Sequence, residues 1–98
     1  MAREQEINAE ENSETGFTLL DEARESGGSD HMSFRQHKIP VLFYHSGLHR
    51  DYHRVSDKPE LINTRKVTKV AKLVFRTAWR VGNDNHRYVQ RFKSTTIF

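Results

Sequence analysis

The 98-residue chain is short, polar and unevenly charged. Its hydrophobic content of 35% and mean hydropathy of −0.83 predict at most one small domain with a modest core. Because the chain has no cysteine, disulfides and thiolate zinc sites are excluded, and any metal must be held by histidine and carboxylate. No run approaches the ~20 apolar residues of a membrane span, and the first residues have no apolar signal-peptide core, so the sequence assigns no compartment.

Acidic and basic side chains are divided between the two ends of the chain. Residues 1–30 carry nine acidic and two basic side chains, whereas residues 31–98 carry four acidic and 14 basic ones. A basic C-terminal half could bind nucleic acid or another acidic partner. The alternative is that the two halves partly neutralise each other or face other chains. The placement of the basic residues on a helix surface favours this alternative and makes nucleic acid the less favoured partner.

The N-terminal segment predicts little regular structure. Residues 1–15 lack clear periodicity and are expected to form a disordered lead-in. The apolar run at 16–20 favours a short strand. Ser29 and Asp30 carry oxygens that can cap a short helix over 31–37.

Two stronger patterns follow. The apolar run at 39–44 predicts a strand buried on both faces, as in a parallel or mixed sheet covered by helices. Asn63 or Thr64 can cap an amphipathic helix that stops at Gly82 and Asn83. Spacings of three and four place the apolar residues of this helix on one face: Val67, Val70, Ala71, Val74, Ala78 and Val81. We therefore expect a partial domain over 16–83 and an irregular tail over 84–98.

Between these two elements lie three histidines spaced by four residues, His45, His49 and His53. On a helix they would share one face and suggest a metal site. Gly47 and the turn formers at 56–59 favour a loop instead, in which imidazoles need not converge. The spacing alone leaves open a small protein that binds a metal through these three histidines.

Several segments, considered together, indicate a protein family by their order and spacing. They are Gly28-Ser29-Asp30-His31, Phe34, Ile39-Pro40-Val41-Leu42-Phe43, Ser46-Gly47-Leu48-His49, Asp51-Tyr52-His53-Arg54, Ser56-Asp57, Ile62-Asn63 and Val74-Phe75-Arg76-Thr77-Ala78-Trp79. In order and spacing they resemble the C-terminal third of the di-zinc aminopeptidases, the bacterial leucyl aminopeptidase and aminopeptidase Y type of metalloexopeptidase, related to glutamate carboxypeptidase and glutaminyl cyclase. The resemblance covers about residues 27–85. It implies an α/β fold, present here as a C-terminal fragment of a mixed-sheet zinc exopeptidase with one or two strands and the long helix.

The resemblance also implies roles for individual residues of the loop. His53 matches the family's last zinc ligand, and Asp57 could orient its imidazole, although a turn or capping role near Asn63 is equally open. Tyr52 matches a position at which some relatives place a tyrosine that donates to the oxyanion; simple packing beside the ligand is the alternative.

Four further residues are expected to play lesser parts. Asp30 and His31 match a Ser-Asp-His segment of the family, which we interpret as a structural cap beneath the rim of the site. His45 and His49 are expected to be bystanders. Many relatives are exported, so the resemblance leaves the localisation open.

In the implied reaction two zinc ions share a water, a glutamate acts as general base, and an N-terminal peptide bond is hydrolysed. This chemistry needs a His-x-Asp pair, an adjacent Glu-Glu and a further aspartate upstream of the last histidine. Two segments match the first two of these motifs: His49-Arg50-Asp51 and Glu10-Glu11. Their order along the chain is the reverse of the family's, so we expect that neither serves in catalysis.

The chain contains one of about five zinc ligands that the family uses. We therefore expect it to be a fragment, produced by a truncated gene, a misplaced start or a split reading frame. We expect it to be inactive and weakly folded alone, and not to bind zinc tightly. Its implied partners are a peptide substrate in the complete enzyme and the missing part of the domain. The alternative is a non-catalytic basic module that binds nucleic acid or an acidic partner.

Overall fold

A computed structural model describes residues 3–22, 29–88 and 94–97. The helices are α1 (Arg3–Glu11), α2 (His31–Gln36) and α3 (Thr64–Gly82), and the strands are β1 (Leu19–Glu22), β2 (Tyr44–His45) and β3 (Ser94–Ile97). Two short 3-10 helices cover Asn12–Glu14 and Pro59–Leu61. The long helix α3 packs against α1, and the strands form a small sheet.

Helix α3 confirms the prediction from spacing, with 19 residues between the expected cap and stop. The side chain of Asn63 accepts a hydrogen bond from the Lys66 N–H at 3.1 Å and satisfies one of the free donors of the first turn. The helix ends at Gly82, where the Asn83 N–H donates to the Trp79 carbonyl at 3.1 Å.

The face of α3 that is buried differs from the predicted apolar stripe. Leu73 and Thr77 are the buried residues of the helix, whereas Val67 of the stripe is 55% exposed. The reason is the position of α1, which packs on the side of α3 that carries Leu73 and Thr77. The two arginines that pair with α1, Arg76 and Arg80, lie on the same side. Much of the apolar stripe therefore remains without a covering layer in the described part of the chain.

The sheet has the order β1-β3-β2, with β1 antiparallel and β2 parallel to the central strand β3. Leu19 lies opposite Ile97, and Tyr44 lies opposite Thr95. The prediction of an irregular tail is therefore corrected at residues 94–97. Two threonines and an isoleucine favour extended structure there, but four residues are too few to show a period.

The strand predicted over 39–44 is shorter than expected, since only Tyr44 and His45 pair with β3. Ile39 is 47% exposed, and Pro40 has no N–H to donate to a neighbouring strand. The prediction of a strand buried on both faces is corrected accordingly.

The prediction of a disordered lead-in is also corrected, because α1 and a 3-10 helix occupy residues 3–14. In α1, Ile7 is 1% exposed and Asn8 is 2% exposed. A helix with one large apolar side chain in nine residues has almost no periodic pattern, and packing against α3 rather than intrinsic propensity stabilises it.

Asn8 joins three elements. Its Oδ1 accepts hydrogen bonds from the Tyr44 hydroxyl at 2.5 Å and from the Thr77 hydroxyl at 3.3 Å, which links α1 to β2 and α3. A buried amide oxygen that is satisfied twice holds these elements in one arrangement.

Ion pairs add to the contact between α1 and α3. Arg76 lies 2.7 Å from Glu11, and Arg80 lies 2.7 Å from Glu10 and 3.3 Å from Glu11. The acidic N-terminal part thus neutralises some of the basic charge of α3, as one of the two alternatives from the charge division predicts. Because Arg76, Arg80 and Glu10 are partly exposed to solvent, each of these pairs contributes only modestly to stability.

We expect the chain to lose stability in acid. The hydrogen bond from Arg76 lowers the pKa of Glu11 below its ordinary 4.5, and the hydrogen bond from Tyr88 lowers the pKa of Asp84 below 3.8. At a pH between the folded and unfolded pKa values, the unfolded chain binds more protons than the folded one. The stabilisation is therefore complete above the ordinary pKa values of the two carboxyls, and it is lost as the pH falls through their lowered pKa values in the folded chain. Urea midpoints measured at a series of pH values test this expectation.

The matched variants are Glu11→Gln and Glu14→Gln. The first removes the carboxylate that pairs with Arg76 and should flatten the pH dependence, whereas Glu14 is exposed and its replacement should leave the dependence unchanged. A pH profile that is the same in Glu11→Gln and the parent chain would contradict the assignment.

Candidate functional site

The segment that carries the histidines is a series of tight turns between β2 and the 3-10 helix at Pro59–Leu61. The Tyr52 N–H donates to the His49 carbonyl, the Arg54 N–H to the Asp51 carbonyl and the Asp57 N–H to the Arg54 carbonyl, at 3.0, 3.0 and 3.1 Å. The segment is thus a loop, as predicted, and the spacing of four does not bring the imidazoles onto one face.

His45 and His49 make local hydrogen bonds. The Nδ1 of His45 accepts from the Gly47 N–H at 2.9 Å, and the Nδ1 of His49 accepts from the Asp51 N–H at 3.2 Å. Each imidazole therefore uses one ring nitrogen to fix the turn that follows it.

His53 differs from the other two histidines. Its backbone has a φ of +57°, in the left-handed region, which costs a non-glycine residue about 1 kcal/mol or more. Its side chain is exposed and stacks on Tyr52, with ring centroids 3.9 Å apart and planes 18° from parallel. Within the described part of the chain, neither ring nitrogen of His53 has a hydrogen-bond partner, so both are available to a ligand.

Tyr52 and Asp57 have few contacts of their own. Tyr52 is 45% exposed, and its hydroxyl has no hydrogen-bond partner among the described residues. Asp57 is exposed, and in the same part of the chain no hydrogen bond joins its carboxylate to His53. The structure thus places Tyr52 against His53 but does not bring Asp57 into contact with that imidazole.

The predicted cap at the start of α2 is only partly present. Asp30 occupies the position before the helix, but its side chain makes no capping hydrogen bond there, because its backbone is already helical, with φ −64° and ψ −21°. His31 instead stacks on Phe43, with ring centroids 4.1 Å apart. The capping role of Asp30 is therefore corrected, and His31 packs α2 against the segment that leads into β2.

A cleft of about 820 Å³ lies between the histidine loop and α3. His45, His49, Asp51 and Asp57 line one side of it, and His53 is not among its lining residues. The opposite side carries apolar residues and one lysine: Leu61, Ile62, Lys66, Val67, Val70 and Ala71.

The donor set of the described residues does not form a zinc centre. Among residues 3–22, 29–88 and 94–97, no group of three His, Asp or Glu side chains lies close enough together to hold a metal ion. A catalytic zinc needs about three protein ligands. The loop therefore offers one unengaged imidazole rather than a metal site.

Comparison with known proteins identifies the family. A model of Peptidase family M28 matches residues 3–78, which include α1, the histidine loop and most of α3. M28 proteins are generally zinc-dependent peptidases. No curated protein and no solved structure matches the chain significantly. In the described ranges, no helix is long and apolar enough to cross a membrane. With most of its length matched by the family, the chain belongs to peptidase family M28.

Proposed function

We propose that this chain supplies the C-terminal part of a zinc-dependent metalloexopeptidase, an aminopeptidase of the leucyl aminopeptidase or aminopeptidase Y type, and that it is inactive alone. The observation that carries the proposal is the family match over residues 3–78. The peptide substrate would be cleaved after its first residue. When bound, zinc would supply Lewis acidity and a nucleophilic water to that reaction.

His53 is the proposed zinc ligand of this chain. A neutral imidazole binds zinc through a ring-nitrogen lone pair at ~2.0–2.1 Å. In the described structure His53 has both nitrogens unengaged, whereas His45 and His49 each commit one to a backbone N–H. The left-handed backbone of His53 supports the same role, since strain at a non-glycine position is retained where the side chain is needed.

Tyr52 is proposed as a donor to the oxygen of the tetrahedral intermediate. Stacking on His53 fixes its ring beside the proposed ligand, and a phenol hydroxyl is a suitable donor to a developing oxyanion. The support of the imidazole by Asp57 is proposed from the family resemblance alone.

The remaining ligands would come from a polypeptide outside these 98 residues. The exposed apolar residues of this chain support such a partner, because a large exposed apolar surface is typical of an interaction site. The largest of them on α3 and beside it are Leu61, Ile62, Val67, Phe75 and Trp79, each between 55% and 66% exposed. We propose that the missing part of the peptidase domain covers this surface.

Replacing His53 with glycine is expected to keep the fold and remove zinc binding. Glycine adopts a positive φ without strain, so the stability should stay unchanged or rise by up to about 1 kcal/mol. The weak zinc binding expected of the parent chain should disappear. Urea unfolding and calorimetric zinc titration measure the two effects.

Lys38→Gly and His45→Ala are the matched controls. Lys38 also has a positive φ, of 59°, so its replacement should affect stability like His53→Gly but leave zinc binding intact. His45→Ala should also leave zinc binding intact. A clear loss of stability in His53→Gly, or loss of zinc binding in His45→Ala, would contradict the proposed role.

A further inference from the structure

A second cavity, of about 350 Å³, lies between α1, the segment at 39–44 and α3. Its walls are mainly aliphatic, from residues 39–42 and from Val74, Ala78 and Val81 of α3. It shares only Tyr44 with the cleft beside the histidine loop and contains none of the proposed catalytic residues. Its volume falls within the range of ~300–1,000 Å³ that is common for small-ligand sites.

One carboxylate oxygen in this apolar wall has no hydrogen-bond partner in the described part of the chain. Glu4 is 6% exposed, and its Oε2 is buried without a hydrogen bond in the described structure. The hydroxyls that line the same cavity are engaged elsewhere: Tyr44 and Thr77 donate to Asn8, and Tyr88 donates to Asp84 at 2.8 Å. Burial of a carboxylate oxygen without a partner is unfavourable, so a ligand that brings a cation or a donor to this atom would be stabilised there.

The basic residue next to Glu4 in the chain is committed elsewhere. Arg3 pairs with Asp84 at 3.3 Å and with Glu6 at 3.5 Å. An ammonium group would give the Glu4 carboxylate both a charge and N–H donors, and an apolar body attached to it would fill the aliphatic part of the cavity. A water molecule would satisfy the oxygen but would neither neutralise the charge nor cover the aliphatic walls.

We propose that this cavity binds a primary amine on an apolar body, with the ammonium paired to Glu4 and the hydrocarbon packed against residues 39–42 and α3. The site uses neither His53 nor the cleft beside the loop, so amine binding can be measured in this chain separately from zinc binding and turnover. The ligand class is an alkyl or arylalkyl ammonium ion.

Titration of the full chain with n-hexylammonium, followed by two-dimensional amide NMR, tests the site. We expect shifts concentrated at residues 39–42 and 74–81, and binding about tenfold or more tighter than that of 1-hexanol, because a charge-assisted hydrogen bond is formed. Hexanoate, with the opposite charge, should bind more weakly than hexanol. Glu4→Gln should remove the preference for the amine, whereas Glu6→Gln, on the exposed side of α1, should retain it.

A second variant tests the site even if Glu4→Gln does not fold. Ala78 lines the cavity and is otherwise exposed, so Ala78→Leu should reduce hexylammonium binding while the carboxylate remains and the circular dichroism is unchanged. Equal affinity for hexanol and hexylammonium would overturn the proposal, as would an unchanged preference for the amine in Glu4→Gln or an absence of binding to the folded chain. None of these outcomes bears on turnover or on His53, so failure here is distinct from failure of the proposed peptidase role.

Discussion

Truncation of Leu73 to alanine is expected to destabilise the chain by about 2–5 kcal/mol, the usual cost of removing a fully buried leucine side chain. Leu73 is 0% exposed, and with Ile7 it makes up the buried hydrophobic core of the described residues. Total stabilities of native domains are only about 5–15 kcal/mol, and a small core lies at the low end. The loss should therefore unfold a large fraction of the molecules, as measured by urea unfolding followed by circular dichroism.

The matched control lies on the same helix. Val67 is 55% exposed, so Val67→Ala removes methyl groups that are already largely in water and should cost less than about 1 kcal/mol. An equal loss of unfolding free energy in Leu73→Ala and Val67→Ala would show that α3 does not pack on α1 through Leu73.

Removal of residues 1–11 is expected to abolish cooperative unfolding. The deletion takes away Ile7 and uncovers Leu73. It also removes Asn8, the acceptor for the Tyr44 and Thr77 hydroxyls. If residues 1–11 were a disordered lead-in, their deletion would leave the stability unchanged. The truncation therefore distinguishes a disordered lead-in from a packed helix α1. The measurement is the presence or absence of a sigmoidal urea transition.

The double variant Glu10→Gln and Glu11→Gln provides the comparison. It removes the carboxylates that pair with Arg76 and Arg80 but keeps the buried contacts of α1, so a sigmoidal transition should remain. If the chain that lacks residues 1–11 unfolds as cooperatively as the intact one, α1 does not form part of the core.

The elements that the sequence predicted well are those with their own periodicity and caps. Helix α3 has 19 residues, an asparagine cap and a glycine stop, so local chemistry specifies its ends. Helix α1 was missed because its stability comes from a single isoleucine and a buried asparagine that meet partners far along the chain. β3 was missed for a similar reason, since its partners Leu19 and Tyr44 are distant in sequence.

The candidate site was predictable in position but not in geometry. Turn-forming residues around Gly47 indicated a loop, and the loop is present. Three further details depend on how the turns fold: the positive φ of His53, its stacking on Tyr52 and the separation of Asp57 from it. Spacing in the sequence carries no information on such angles. Likewise, no pattern singled out Asn8 or Glu4, because an isolated polar residue in a polar segment looks like any surface residue.

The incomplete covering of α3 in the described part of the chain and the unengaged imidazole of His53 in the loop are consistent with each other. A helix whose apolar stripe remains partly exposed needs a further layer, and a proposed zinc ligand that has no companions among the described residues needs further ligands. One additional polypeptide that supplies the rest of an M28 domain would meet both requirements.

Turnover of an aminoacyl chromogenic substrate by the purified chain in the presence of zinc tests the central claim most directly. Because His53 is the one ligand that this chain is proposed to contribute, we predict no zinc-dependent hydrolysis above the protein-free rate. Zinc-dependent turnover by the chain alone that disappears in His53→Ala would contradict the account, since these residues would then build the active site without a partner.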